Sequence, residues 1–281
     1  MRRSKFEEPR SKVTLALACL AACLILLGSA EAQWITIKLP RTPRTADGKP
    51  DLKGPVPRAA DGKPDLSGIW TRVAPPKRTS NTDNFDLLDW MPAGSTIRMK
   101  PEAAALYQHR RDVLLGAGRP SQQCLPHSIP DAMLPGPDGV LPGVVFKILQ
   151  TRDVTVILFE EFNHYRQIFT DGRPLPETSQ PAWFGYSIGR WDGDSFVVTT
   201  TGFNDRSWLD DTGHPHSEAM KTTERFRRLD FGHMEMRVTI EDPETYLEPF
   251  TVTVPFNLQP DSELIEDICE NNRDSAEIPG K

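Results

Sequence analysis

The second half of the sequence predicts an all-β, mainly antiparallel domain, built either as a single lipocalin-like up-and-down barrel or as a sandwich. Apolar and polar residues alternate with period two over 234–240 and 250–256, which is the pattern of strands with one buried face. Short β-rich runs also follow one another through turn sequences such as Asp192-Gly193, with almost no helix between them. Strands that do not alternate with helices exclude a doubly wound α/β fold. The barrel is favoured because closing a sheet on itself hides both of its edges.

Eight or nine short strands fit this pattern. A first strand carries Trp70, and the others are expected at 143–150, 154–159, 164–170, 187–191, 195–201, 221–228, 234–240 and 250–256. Residues 263–269 read either as a last strand or as a short helix. One short helix is expected from Pro101 to about Leu115, because proline suits the first helical turn and glycines follow the last one.

Residues 1–32 have the three parts of a secretory signal peptide. Basic residues come first, an unbroken apolar run follows from Val13 to Leu27, and a small-residue site ends before Gln33. The apolar run is shorter than the roughly 20 residues that span a bilayer. The sequence therefore predicts a periplasmic or secreted protein. A lipid anchor at Cys23 is the alternative, because the residues before it fit a lipidation box.

Residues 33–60 are expected to form a proline-rich linker or arm that precedes a single β-rich domain at 61–281. The chain has 26 prolines, about twice the average usage, and most of them precede residue 143. The sequence Ala-Asp-Gly-Lys-Pro-Asp-Leu occurs at 46–52 and again at 60–66. Two copies are too few for a solenoid. We interpret the first copy as a mobile linker and the second as the entry to the first strand.

Cys124 and Cys269 are the two cysteines that remain once the signal peptide is removed. An even pair in an oxidising compartment predicts a disulfide, which would tie the proline-rich part to the end of the chain. Such a link would stabilise the fold by about 2–4 kcal/mol, depending on strain. Two separate buried thiols are the alternative.

The segment Gly-His-Pro-His-Ser-Glu at 213–218 is the candidate metal site. In an extended chain, His214, His216 and Glu218 project to one side. Two imidazoles and a carboxylate suit Zn or Fe. Pro215 favours loop geometry, and the spacing matches no common metalloprotease helix, so a structured loop with hydrogen-bonded histidines is the other reading.

Polar and aromatic side chains on the other strands are candidate ligand contacts. His164 and Arg166 share a strand face, and an arginine inside the barrel would hold an anionic head group through two parallel bonds. Trp183 would stack on an apolar or sugar ligand. The long acidic loop 202–217 would cover the barrel mouth. The expected ligand contacts are His164, Arg166, Trp183, His214, His216 and Arg225, with solvated cross-strand charge pairs as the alternative for the charged residues.

Several segments resemble a family of exported bacterial proteins of unassigned activity. They include DGKPDLSGIW at 61–70, GRWDGDSFVV at 189–198 and GHPHSE at 213–218, and the likeness runs over roughly 60–272. The resemblance implies export and a β-rich fold. It carries over no catalytic residue.

Together these patterns predict an exported β-barrel protein that binds a small, partly apolar ligand. One alternative is a metal-dependent enzyme using His214, His216 and a carboxylate, and another is an envelope interaction module tethered by the arm. The net charge of −6 gives no electrostatic reason to bind nucleic acid. The sequence leaves open whether any reaction is catalysed.

Overall fold

Nine strands close into one barrel in the computed structural model of the chain, which describes residues 37–73, 86–114, 118–134, 145–178, 180–265 and 267–268. The strands are β1 (Gly68–Arg72), β2 (Val145–Gln150), β3 (Val154–Phe159), β4 (Tyr165–Phe169), β5 (Tyr186–Asp192), β6 (Ser195–Thr201), β7 (Lys221–Arg228), β8 (His233–Glu241) and β9 (Phe250–Leu258). Their order around the barrel follows the chain, and β1 pairs with β9 to close it. The expected all-β, mainly antiparallel barrel is confirmed.

One neighbouring pair departs from the up-and-down order. β4 and β5 run parallel and share two residue pairs, whereas the other neighbours are antiparallel and share three or more. The chain must therefore return along the length of the barrel between residues 170 and 185 before β5 begins. This parallel seam is the most weakly paired place in the sheet.

The inward faces of β8 and β9 form the middle of the core. Met236, Val238, Val252 and Val254 are fully buried, as the period-two alternation predicts. Phe256 on β9 meets the Phe146 ring of β2 edge to face, with 5.2 Å between the ring centroids. Side chains from two strands that do not pair with each other thus touch inside the barrel.

The one described α-helix is α1 (Pro101–Gln108), which continues as a wider π turn over His109–Val113. Pro101 lies at its first turn, as the sequence indicated, and Tyr107 is its buried residue. Short 3₁₀ turns occupy Leu87–Trp90, Pro120–Gln123 and Asp131–Met133. The predicted short helix is therefore confirmed as far as Val113.

The two copies of the repeated sequence fold into two copies of one turn. Arg44 bridges to Pro50 and Arg58 bridges to Pro64 in the same antiparallel manner. The glycine of each copy has a positive φ, 83° and 80°, which only glycine adopts without strain. The repeat thus encodes a local turn rather than a strand.

Both turns are docked on the barrel. Arg44 pairs with Asp261 after β9 at 2.7 Å, and Arg58 pairs with Asp194 in the β5–β6 turn at 3.0 Å. The backbone of Leu52 also accepts a hydrogen bond from Gly232 between β7 and β8. The first copy is therefore bound to the domain through its arginine and its backbone.

The repeats define one end of the barrel, which we call the repeat end; the opposite end, where the loop after β6 lies, is the cap end. Leu66 from the second copy is fully buried at the repeat end, and its carbonyl accepts a 2.9 Å bond from the Trp70 indole of β1. Arg228 at the end of β7 donates to the carbonyl of Asp65 and lies over the Trp70 ring. The second copy thus leads directly into β1, as predicted.

The C-terminal prediction was wrong where the structure describes it. Residues 263–265 and 267–268 form neither a strand nor a helix, and Asp267 makes an isolated parallel bridge with Glu161. Cys269 and residues 1–36, which include the predicted signal peptide and Cys23, lie outside the described residues. In the part of the chain that is described, no helix is long and apolar enough to cross a membrane.

Candidate functional site

Asp210 is the hydrogen-bonding centre of the cap end. The carboxylate is fully buried and accepts backbone bonds from Leu87, Gly213 and His214 at 2.9–3.1 Å. It also accepts a 2.9 Å bond from the Thr212 hydroxyl and lies 2.6 Å from the His214 ring nitrogen Nδ1. One side chain therefore holds the loop 202–217 in shape and fixes the first residue of the 3₁₀ turn Leu87–Trp90 to it.

A second aspartate completes a buried trio. Ligand atoms of Asp86, Asp210 and His214 all lie within 4.8 Å of one another. Burial and then the Asp210 carboxylate raise the pKa of Asp86. Burial alone would raise the pKa of Asp210, but the interaction with His214 outweighs burial and holds it below its usual value. The His214 ring stacks on Tyr107 with 4.1 Å between centroids.

The trio is better explained as a structural hub than as a metal centre. Both Asp210 oxygens are already hydrogen-bonded, and Asp86 accepts a 2.9 Å bond from the backbone of Leu88 as a cap. A cation bound by Asp210 and by His214 Nδ1 would have to break the bond between them. The fivefold bonding of one carboxylate accounts for its burial without an ion.

A second histidine is held between two acidic side chains at the same end. His127 Nδ1 bonds Asp131, and Nε2 lies 3.1 Å from Glu161. Burial alone would lower the pKa of His127, but the two carboxylates outweigh it and raise that pKa well above its usual value. Arg119 pairs with Asp211 nearby at 2.6 Å. These pairs bind the segment 119–131 to the barrel.

This raised pKa predicts a pH dependence of stability. Because the folded pKa of His127 exceeds the unfolded value, the stabilisation is present below about pH 6.5 and is lost as the pH rises through the folded pKa. The wild type should thus be more stable than His127→Gln at pH 6, and the difference should shrink by pH 9. Urea denaturation of both proteins across this range measures it, and a difference independent of pH would contradict the assignment.

The structure separates the three predicted metal ligands. His216 directs Nε2 to the Ser207 hydroxyl at 2.7 Å and Nδ1 to the backbone of Ser217 at 3.3 Å. Glu218 is exposed. Among the described residues, the ligand atoms that converge belong to Asp86 and Asp210 together with His214. Metal binding by His214, His216 and Glu218 stays a prediction.

Arg166 lies inside the barrel, as the sequence analysis expected of one arginine, but it is already paired there. Its guanidinium forms a two-pronged ion pair with Glu224 of β7. The remaining donors reach the hydroxyls of Ser187 at 3.1 Å and Thr200 at 2.8 Å. Because Nε and both terminal nitrogens are already bonded, few N–H donors of the guanidinium remain for a ligand.

The other predicted contacts lie apart from one another. His164 is between the rings of Phe162 and Phe184 at the cap end. Trp183 lies beneath the guanidinium of Arg206, 5.1 Å from it. Arg225 is exposed on the outside of β7 and pairs with Asp192. The six expected ligand contacts therefore do not surround one cavity.

A cavity of about 770 Å³ opens at the repeat end, and we call it the mouth cavity. Its walls are the inward-facing ends of β2 to β5 on one side and the arm with the second repeat on the other. It is lined by Arg41, Ala59, Ala60, Asp61, Asp65, Ser67, Gln150, Thr151, Arg152, Thr155, Thr170, Gly172, Gly189, Arg190 and Trp191.

The mouth cavity contains polar groups that the fold leaves unused. Thr155 is 3% exposed, yet its hydroxyl has no hydrogen-bond partner among the described residues. Arg41 and Arg190 at its rim are exposed, and Arg190 has the outward parity on β5. The half-buried Trp191 ring packs against Phe196, 5.2 Å between centroids, and lines the cavity. Ligand pockets typically combine apolar and aromatic walls with a few polar groups that are free to bond the ligand.

Gly189 lies where the mouth cavity meets the packed core of the barrel. A Cβ atom at this position would lie 2.5 Å from the Phe196 ring and 2.9 Å from Ile168. The absent side chain lets these two residues pack tightly beneath the opening. These packed residues therefore separate the mouth cavity from the core of the barrel, and the other side of the cavity is formed by the arm.

No protein-family model, curated protein or solved structure matches this chain. The mouth cavity was not predicted from the sequence, because one wall comes from residues 41–67 and the other from residues 150–191, which are far apart along the chain. One signal was available: Trp191 has the same strand parity as Ser187 and Gly189, so all three face inward.

Proposed function

We propose that this protein is an exported β-barrel that binds a small, partly apolar molecule in the mouth cavity. The observation that carries the proposal is a space of about 770 Å³ lined by Thr155, a buried residue whose hydroxyl has no hydrogen-bond partner among the described residues. This volume lies within the range of about 300–1,000 Å³ typical of ligand pockets. Trp191 supplies an apolar surface next to it.

The rest of the barrel supports this location. Its interior is occupied by packed side chains and by the Arg166–Glu224 pair. At the cap end, the crevice between Arg119, His127 and Trp208 measures about 10 Å³, room for one water molecule. A second cavity there, beside the β8–β9 turn, measures about 360 Å³ and is less than half the size of the mouth cavity. The larger of these spaces is at the repeat end, where we place the ligand.

The two alternatives receive less support. A metal-dependent enzyme using His214, His216 and a carboxylate would draw on imidazoles that are already bonded, His214 to Asp210 and His216 to Ser207. An envelope module tethered by the arm would need a free arm, but residues 43–66 are held on the barrel by Arg44 and Arg58. Binding in the mouth cavity, in contrast, gives the Thr155 hydroxyl and the Trp191 ring a role.

Export is part of the proposal and is supported by the signal-peptide pattern of residues 1–32 and by the resemblance to exported proteins. A disulfide between Cys124 and Cys269 belongs with it, since the compartment would be oxidising. Mass spectrometry of protein recovered outside the cytoplasm should find a chain that starts at Gln33 and has no free thiol. A chain that keeps residues 1–32 would overturn the export proposal.

The binding proposal is tested with N-phenylnaphthylamine, a neutral aromatic amine whose fluorescence rises in apolar sites. Trp191→Ala should weaken its binding about tenfold, because the stacking surface and its buried area are lost. Trp183→Ala is the matched control, since this tryptophan lies under Arg206 and outside the cavity. Equal affinity for the wild type and both variants, or no binding at all, would contradict the proposal.

A further inference from the structure

We infer that the ligand of the mouth cavity is an extended peptide segment, whose backbone pairs with β5 and whose apolar side chain enters the cavity beside Trp191. This inference rests on the proposed function and adds the chemical class of the ligand. It follows from where the cavity meets β5, from the backbone groups that β5 leaves unpaired there and from the side chains next to them.

The mouth cavity meets β5 at the edge of the strand. Three consecutive residues of β5 line it, Gly189, Arg190 and Trp191. Neighbouring side chains of a strand point to opposite faces of the sheet, so a cavity on one face is lined by every second residue. A cavity lined by residues of both parities lies beside the strand, where its backbone can be reached.

This edge exists because β4 ends before β5 does. The last residue pair of the parallel seam joins Phe169 to Ile188, whereas β5 continues to Asp192. The backbone N–H of Thr170, the residue after β4, donates to the carbonyl of Asp153 at 2.9 Å and so points towards the start of β3, away from β5. Beyond Ile188, no described residue continues the pairing on this side of β5.

Trp191 presents its backbone N–H and C=O to the place that β4 leaves empty. A two-residue turn joins β5 to β6, and Asp192 pairs with Ser195 across it. The residues that flank such a turn exchange both backbone bonds, and the direction of bonding then alternates along the strand. Asp192 therefore directs its peptide groups to β6, and Trp191 directs its own to the opposite side. There they bond no described residue.

A free strand edge beside a pocket is an arrangement that binds extended peptides. Main-chain bonds hold the added strand, and pockets next to the edge select alternate side chains. Trp191 offers an apolar ring to such a side chain, and the buried Thr155, which also lines the cavity, has a hydroxyl that can bond a peptide amide. A molecule without amide groups would leave the N–H and C=O of Trp191 unbonded, whereas a peptide bonds both.

The inference is tested on the full folded protein with a blocked pentapeptide, acetyl-Thr-Val-Phe-Val-Thr-amide. The peptide should displace N-phenylnaphthylamine, and Trp191→Ala should weaken its binding about tenfold, because the ring that contacts the apolar side chain is lost. Trp183→Ala is the matched control and should leave the affinity for the peptide unchanged, since this tryptophan lies under Arg206.

Two N-methylated forms of the peptide separate backbone pairing from side-chain contact. One form has its methyl groups on the two Val nitrogens, and the other has them on the Phe and Thr nitrogens. Alternate residues of a strand direct their N–H groups to opposite edges, so only one form blocks the edge that faces β5. That form should bind about tenfold more weakly than the parent peptide, and the other should bind within about twofold of it.

Amide hydrogen exchange gives the same information from the side of β5. The parent peptide should slow exchange at Trp191 about tenfold, because it bonds that N–H. Exchange at Asp192 is the control within the same strand, since its N–H is already directed to β6, and it should stay unchanged.

Equal affinities of the two N-methylated forms would overturn the inference, as would a peptide that does not bind or that leaves exchange at Trp191 unchanged. Each of these results leaves the proposed function standing if Trp191→Ala still weakens N-phenylnaphthylamine. Loss of the Trp191 effect on this amine would instead overturn the proposed function itself.

Discussion

Replacing Glu224 by alanine is expected to lower the free energy of unfolding by about 3–5 kcal/mol. Arg166 is 2% exposed and meets Glu224 through both terminal nitrogens. Without the carboxylate, a guanidinium charge remains inside the barrel with only the hydroxyls of Ser187 and Thr200 as partners. Urea denaturation of the variant and the wild type measures the difference, with the slope checked for two-state behaviour.

Two further variants make this expectation specific. Arg225→Ala on the same strand removes an exposed pair with Asp192 and should cost about 0–1 kcal/mol. The double variant Arg166→Met/Glu224→Leu replaces both charges with apolar side chains and should recover much of the loss, because no buried charge remains. A Glu224→Ala protein within about 1 kcal/mol of the wild type would show that water reaches Arg166.

Asp210→Ala is expected to cost more than about 3 kcal/mol, since it leaves several buried donors without an acceptor. The effect should be concentrated at the cap end. Amide hydrogen exchange at 209–216 should therefore accelerate more than exchange in β8. Asp210→Asn, which keeps an acceptor oxygen, should lose less.

Asp205→Ala is the control for this experiment, because Asp205 lies in the same loop and is exposed. It should change stability by no more than about 0.5 kcal/mol. If Asp210→Ala behaved like Asp205→Ala, the loop would have another source of order, and the hub description would fail.

The strands were predictable because the signals for them are local. Period-two alternation marked β8 and β9, and the Asp192-Gly193 turn joined β5 to β6 in the expected place. The parallel pairing of β4 and β5 was not predicted, since nothing local in residues 170–185 shows in which direction the next strand runs. Docking of the first repeat was also missed, because it depends on Asp261, far along the chain.

The site was harder to predict because it depends on which groups are satisfied. Arg166 and His214 have the chemistry of ligand contacts, but Glu224 and Asp210 bind them. Glu224 is 58 residues away from Arg166 along the chain, so only the folded structure shows that they pair. Asp210 is four residues from His214, and their pairing depends on the conformation of the loop. Conversely, Thr155 looks ordinary in the sequence and becomes notable because it is buried beside the mouth cavity with its hydroxyl unbonded among the described residues.

Closure of the barrel by its first and last strands restricts the order of events in its biogenesis. Trp70 on β1 finds its neighbour Leu258 on β9 only when nearly all of the chain is present. Such distant pairing carries a large loop-closure entropy and folds slowly. An unfinished chain therefore leaves β1 without its second neighbour, and the barrel cannot close until the residues of β9 are present.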